Sequence, residues 1–86
     1  MKKIDSVIVD DEFHARENLK ILIAEYCPTI NIVGEADGVE NGLKVIEAKN
    51  PQLLFLDIRM PSGSEGFELL DLLPNKKIRI IFITAF

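Results

Sequence analysis

Four consecutive apolar residues, Leu53-Leu54-Phe55-Leu56, run straight into a carboxylate at Asp57, and the stretch Ser6-Val7-Ile8-Val9 ends the same way, at Asp10-Asp11-Glu12. Apolar runs of this length suit strands covered on both faces, as in parallel sheets. Between them the period changes. Ala15, Leu19, Leu22, Ile23 and Tyr26 recur at helical spacing while Arg16, Glu17, Asn18, Lys20 and Glu25 fall elsewhere, which predicts a first helix closed before Pro28. Asn31-Ile32-Val33-Gly34-Glu35-Ala36 predicts a second strand, weakened by its glycine and polar positions and so placed at a sheet edge. Asp37, with Glu40 three residues on, resembles a capping box and opens a helix carrying Leu43, Val45 and Ile46 toward Lys49, where Asn50-Pro51 stops it. After Asp57 comes a loop, Ser62-Gly63-Ser64-Glu65-Gly66. Phe67, Leu69, Leu70, Leu72 and Leu73 then predict a short third helix ended by Pro74-Asn75, and Ile78–Ile83 a fourth strand that stops at Thr84.

The order β-α-β-α-β-α-β, joined by right-handed crossovers, makes the sheet parallel. The fold class is therefore α/β, and the arrangement to weigh is a flavodoxin-like doubly wound parallel sheet, whose strand order over these four strands is 2-1-3-4. In such sheets ligands bind beyond the carboxyl ends of the strands, at the switch point of strand order. If the chain adopts that order, the point lies between the first and third strands, and Asp10, Asp11 and Asp57 converge on one crevice, with Thr84 arriving from the fourth strand.

With 86 residues and 48% apolar content the chain is one domain or a piece of one. A formal net charge of −4 argues against direct nucleic-acid contact or adhesion to an anionic membrane. Met1-Lys2-Lys3 is followed by an apolar run too short for a signal peptide, and no stretch reaches membrane-spanning length. The single Cys27 has no internal partner, which fits a cytoplasmic location, and reads as a partly buried residue at a helix end. His14 reads as solvated, on the polar side of the first helix.

Taken alone, an acidic pair such as Asp10-Asp11 is a solvated turn or a helix cap. Joined by a third carboxylate at a neighbouring strand end, it calls for a cation, because three carboxylates in close quarters repel one another. A hard divalent ion with oxygen ligands, Mg²⁺ above all, meets that need and binds through one or two carboxylates together with a phosphoryl group. Asp57 is then placed to attack phosphorus and form an aspartyl-phosphate, and the Thr84 hydroxyl to bond a phosphoryl oxygen that exists only after transfer.

At these residues the sequence resembles the receiver domain of bacterial two-component response regulators. The match runs through Asp10-Asp11 after the first strand, Asp57 followed by Met60-Pro61 after the third, Gly66 opening the third helix, and Thr84-Ala85 closing the fourth strand. The resemblance implies Asp57 as phosphoacceptor, Asp11 as direct metal ligand, Asp10 as a ligand through water, the backbone carbonyl of Arg59 as a further metal ligand, and Thr84 as the switch hydroxyl. It also implies Mg²⁺ as cofactor, a sensor histidine kinase as partner, and a C-terminal output domain, most simply a DNA-binding transcription regulator. The protein would modify itself and not turn over as an enzyme. The texture of Asp10-Asp11-Glu12 with Ala15-Arg16, and of Phe82–Phe86, looks most like receivers joined to LytTR-type DNA-binding domains.

Two features depart from the family. Gly66 follows Pro61 by five positions where receivers usually have four, so the intervening loop carries one extra residue. The fourth helix, the fifth strand with its Lys and aromatic residue, and the fifth helix have no counterpart in residues 1–86, so the chain reads as the N-terminal part of a receiver, and phosphotransfer by it alone should be impaired. The apolar fourth strand would then present an edge able to pair with a second copy as a homodimer. The alternative function is a receiver-shaped interaction or dimerisation module that works without phosphorylation. A haloacid-dehalogenase-type hydrolase would need an Asp two residues after the nucleophile, where this chain has Arg59, and no glycine-rich phosphate loop follows the first strand.

Overall fold

The computed structural model describes residues 2–58 and 65–83, with the side chains of residues 65 and 66 outside the description. Seven elements alternate along the chain: β1 (Ile4–Val9), α1 (Phe13–Tyr26), β2 (Ile30–Ala36), α2 (Val39–Lys49), β3 (Leu53–Asp57), α3 (Glu65–Leu72) and β4 (Arg79–Ile83). All paired strands are parallel, in the order β2-β1-β3-β4. The expected fold class and strand order are those observed.

The two central strands carry apolar side chains on both faces because both faces are covered. On one side Val7, Val9, Leu54 and Leu56 pack with Ile46 of α2 and Leu69 and Leu73 at α3. On the other, Ile8, Leu53 and Phe55 pack with Ile23 of α1, flanked by Leu19, Ile30, Ile32 and Ile83. β3 is buried along its whole length, Asp57 included. The weaker pattern of β2 puts it at an edge, as expected.

β2 also carries an irregularity that the sequence did not announce. Ser6 pairs with Ile32 but Val7 pairs with Gly34, so Val33 is an extra residue facing β1, a bulge. Since side chains alternate faces, one inserted residue moves everything beyond it to the other side. Glu35 thereby pairs with Ile8 and shares the face covered by α1.

Several local expectations are corrected. The capping box at Asp37 does not form: Gly38 occupies the N-cap with extended backbone and no side-chain cap, while Asp37 Oδ1 accepts a hydrogen bond from Asn41 Nδ2 at 2.8 Å. The α2 terminus behaves as expected, with Asn50 in the left-handed conformation (φ 45°) ahead of Pro51. Of the apolar stripe predicted for α1, Ile23 and Leu19 reach the core, whereas Leu22 and Tyr26 are exposed. Phe67 and Leu72 of α3 are exposed as well, so its core face is carried by Leu69 and by Leu73 just beyond its end. Cys27 is exposed instead of partly buried, and its N–H closes α1 by donating to the Ile23 carbonyl at 2.8 Å. No helix among the described residues is long and apolar enough to cross a membrane.

Candidate metal and phosphoryl site

The site is made where β1 and β3 end. Their register pairs Val9 with Leu56, so the residues that follow, Asp10 and Asp57, come side by side at the carboxyl edge of the sheet. Asp11 belongs to the turn into α1. One carboxylate oxygen from each of Asp10, Asp11 and Asp57 lies within 4.8 Å of the other two. Asp10 and Asp57 are buried, with 3% and 4% of their surface exposed, while Asp11 faces solvent. The acids read from the sequence as one cluster are therefore one cluster in space. Arg59 and Thr84, the other two expected site residues, lie outside the described residues, as do Met60 and Pro61. Ile83, the last described residue of β4, pairs with Asp57.

The turn holding the acids is tied at three atoms of Asp10. Its N–H donates to the Ala36 carbonyl at 3.1 Å, and its Oδ1 accepts from the Glu12 N–H at 2.9 Å. Its carbonyl accepts from Arg16 Nη1 at 2.8 Å. Burial pushes the Asp10 carboxyl above its ordinary value; the bond from the Glu12 N–H opposes that, and the neighbouring charges of Asp57 and Asp11 add to the rise. The site stores electrostatic strain that a cation would relieve.

Beside it lies a charge network that sequence reasoning missed. Arg16 Nε donates to Glu35 Oε1 at 2.8 Å, and Lys20 Nζ reaches Glu35 Oε2 at 2.6 Å and also pairs with Glu17. The hydrogen bonds from Lys20 first, and Arg16 next, hold the Glu35 carboxyl below the usual range. A signal was present in the sequence: a charged residue near the end of an otherwise apolar strand, and two cations at i and i+4 on α1. The missing information was the bulge that turns Glu35 toward them. His14 is exposed, as expected, with its ring edge-on to Phe13.

Comparison with known proteins agrees with this geometry. The family model described as the response regulator receiver domain matches residues 7–86. The chain is 45% identical over 85 residues to the transcriptional regulatory protein BtsR of Shigella flexneri, covering 96% of this chain and 34% of that protein. It is 40% identical over 82 residues to the sensory transduction protein LytT of Bacillus cereus, covering 93% of this chain and 32% of that one. It thus spans about one third of the length of these curated relatives. Among solved structures, the response regulator domain of Thermotoga maritima CheB superimposes with a TM-score of 0.83 at 27% identity, covering 98% of this chain and 62% of that one. The anti-anti-sigma factor PhyR of Bartonella quintana superimposes with a TM-score of 0.85 at 26% identity, covering all of this chain and 35% of that one. With the matched segment running from within β1 to the last residue, the chain belongs to the response regulator receiver domain family.

Proposed function

We propose that the chain is a phosphoacceptor: a two-component receiver whose Asp57 takes a phosphoryl group from a sensor histidine kinase in a Mg²⁺-dependent step and thereby switches an output domain. The observation that carries this reading is the meeting of three carboxylates from two strand ends, two of them buried, within 4.8 Å. The donor set fits the ion. It is all oxygen and anionic, as hard divalent cations require, and partly open to water, as Mg²⁺ prefers. Asp10, Asp11 and Asp57, with the backbone carbonyl of Arg59, would hold it. When bound, Mg²⁺ supplies positive charge that offsets the repulsion between these acids and an incoming phosphoryl group.

The side chains do the rest. A carboxylate oxygen of Asp57 attacks phosphorus, the bond from phosphorus to the donor's imidazole nitrogen breaks, and that nitrogen leaves with the electron pair. Asp57 sits at the end of a strand buried along its length, so its carboxylate is held in place while the crevice edge stays accessible through Asp11. The Thr84 hydroxyl donates to the phosphoryl oxygen after transfer and reports the modification. The protein acts on itself once per signal and is not a turnover enzyme. The names and greater length of the relatives support an output domain that regulates transcription, of the LytTR type; in this reading it follows the receiver in a cytoplasmic protein.

The test is binding of beryllofluoride, a phosphoryl mimic, to the full-length protein in the presence of Mg²⁺, followed by NMR or calorimetry. Wild type is expected to bind and Asp57→Ala to lose binding. Equal binding by the variant would overturn the proposal and favour a receiver-shaped interaction module that needs no phosphorylation.

A further inference from the structure

Asp11 is the exposed member of the acidic cluster and sits in a turn, next to two like charges. Repulsion alone would swing it toward solvent. What opposes that is the backbone on either side of it. On the far side, the Glu12 N–H is fastened to Asp10 Oδ1. On the near side, the Asp10 carbonyl is fastened to Arg16 Nη1, and this second bond fixes the plane of the peptide that leads into Asp11.

Arg16 is itself held beyond this bond. Its Nε donates to Glu35, its guanidinium carbon lies 5.7 Å from the centre of the Phe13 ring, and its side chain is only 13% exposed. Glu35 is available to it because the extra residue Val33 turns Glu35 to the α1 face; in an unbroken register Glu35 would pair with Val9 and point into the α2 side of the core.

We propose that Arg16 is a positioning residue: its fork bridges the Asp10 carbonyl and Glu35, and so holds the acidic turn in the geometry that delivers Asp11 to the metal. This rests on the reading of the acidic cluster as a Mg²⁺ site and adds the part of the chain that prepares it. Arg suits the task because its planar fork reaches two acceptors at fixed angles, which an ammonium cannot do. Lys20 is the natural comparison, since it also binds Glu35, together with Glu17, and makes no bond to the acidic turn.

The experiment measures Mg²⁺ affinity by calorimetry, and thermal stability, in the full-length wild type and in Arg16→Met, Arg16→Lys and Lys20→Met. Both Arg16 variants are expected to weaken Mg²⁺ binding roughly tenfold or more, the scale seen when groups that orient metal ligands are lost. Lys20→Met should leave affinity unchanged or slightly tighter while lowering stability. The sign is diagnostic, because removing a positive charge beside a cation site should by itself strengthen cation binding. Weaker binding by folded Arg16→Met therefore reports lost positioning. Arg16→Lys keeps the charge and serves as the second readout should Arg16→Met fail to fold. Unchanged or tighter binding by a folded Arg16 variant, or equal weakening by Lys20→Met, overturns the inference while leaving the metal site standing. A wild type that binds no Mg²⁺ overturns both.

Discussion

Asp10 shows how one residue can weaken the fold in order to serve a site. Its carboxyl is buried beside Asp57 and Asp11, and burial and like charge together raise its pKa despite the bond from the Glu12 N–H. For a carboxyl whose folded pKa lies above its unfolded value, the native state binds the proton more tightly. The contribution to stability is then fully present below the unfolded value of 3.8 and is lost as pH rises through the raised folded value. Asp10→Asn removes the charge and keeps the shape and one acceptor oxygen. With divalent ions chelated, the variant is expected to melt several degrees above wild type at neutral pH. The gap should close as the pH falls below 3.8, where Asp10 of the wild type is protonated in the folded and unfolded states alike. Melting curves at a series of pH values check this; a variant less stable than wild type at neutral pH would show that the Glu12 bond outweighs the repulsion.

At the scale of elements, what the sequence made legible was whatever depends on unbroken local pattern. β1 and β3 were readable because apolar runs stop at acids, and from their ends Asp10, Asp11 and Asp57 followed. The helix end at Asn50-Pro51 was readable for the same local reason. What stayed hidden depends on which neighbour wins. Asp37 had two bonding options and took Asn41, leaving the N-cap to Gly38. Leu22 and Tyr26 share helical spacing with Ile23, yet only one helical face meets the sheet. The bulge at Val33 looked in sequence like mere weakness of β2. Gly34 is the other half of that bulge: a Cβ built there would lie 2.6 Å from Val45 Cγ1, so α2 packs onto β2 where a side chain is missing. Val45 is β-branched and cannot swing away freely. Gly34→Ala is therefore expected to destabilise by about 1–3 kcal/mol, the range for overpacking a filled core. Much of the loss should return in the double variant with Val45→Ala, whose shortened side chain vacates the contact. Chemical denaturation of the three variants measures it, and additive losses would mean the clash is not with Val45.

For the molecule as a whole, the two sheet faces are covered unequally. α2 and α3 together cover one, but on the other, among the described residues, α1 stands alone near β1 and β2. Ile81 of β4 is left 45% exposed on that side, and Phe82, beside the exposed Phe67, 48% exposed on the other. The sheet's two edges differ in the same sense. β2 carries a bulge, Asn31 and Glu35, features that discourage pairing with a further strand. β4 reads Arg-Ile-Ile-Phe-Ile, pairs only with β3 among the described strands, and has a charge at its first position alone. An apolar, regular edge of this kind recruits another strand. The 86-residue polypeptide on its own is therefore expected to self-associate through β4. In sedimentation equilibrium its mean mass should rise with concentration, and Ile81→Lys, which sets a charge on the exposed strand, should return it toward the monomer. A monomer mass at every concentration would refute the expectation. Association that survives both Ile81→Lys and Phe82→Lys would move the contact away from β4, to another of the exposed apolar positions, such as Ile21, Leu22 and Tyr26 of α1.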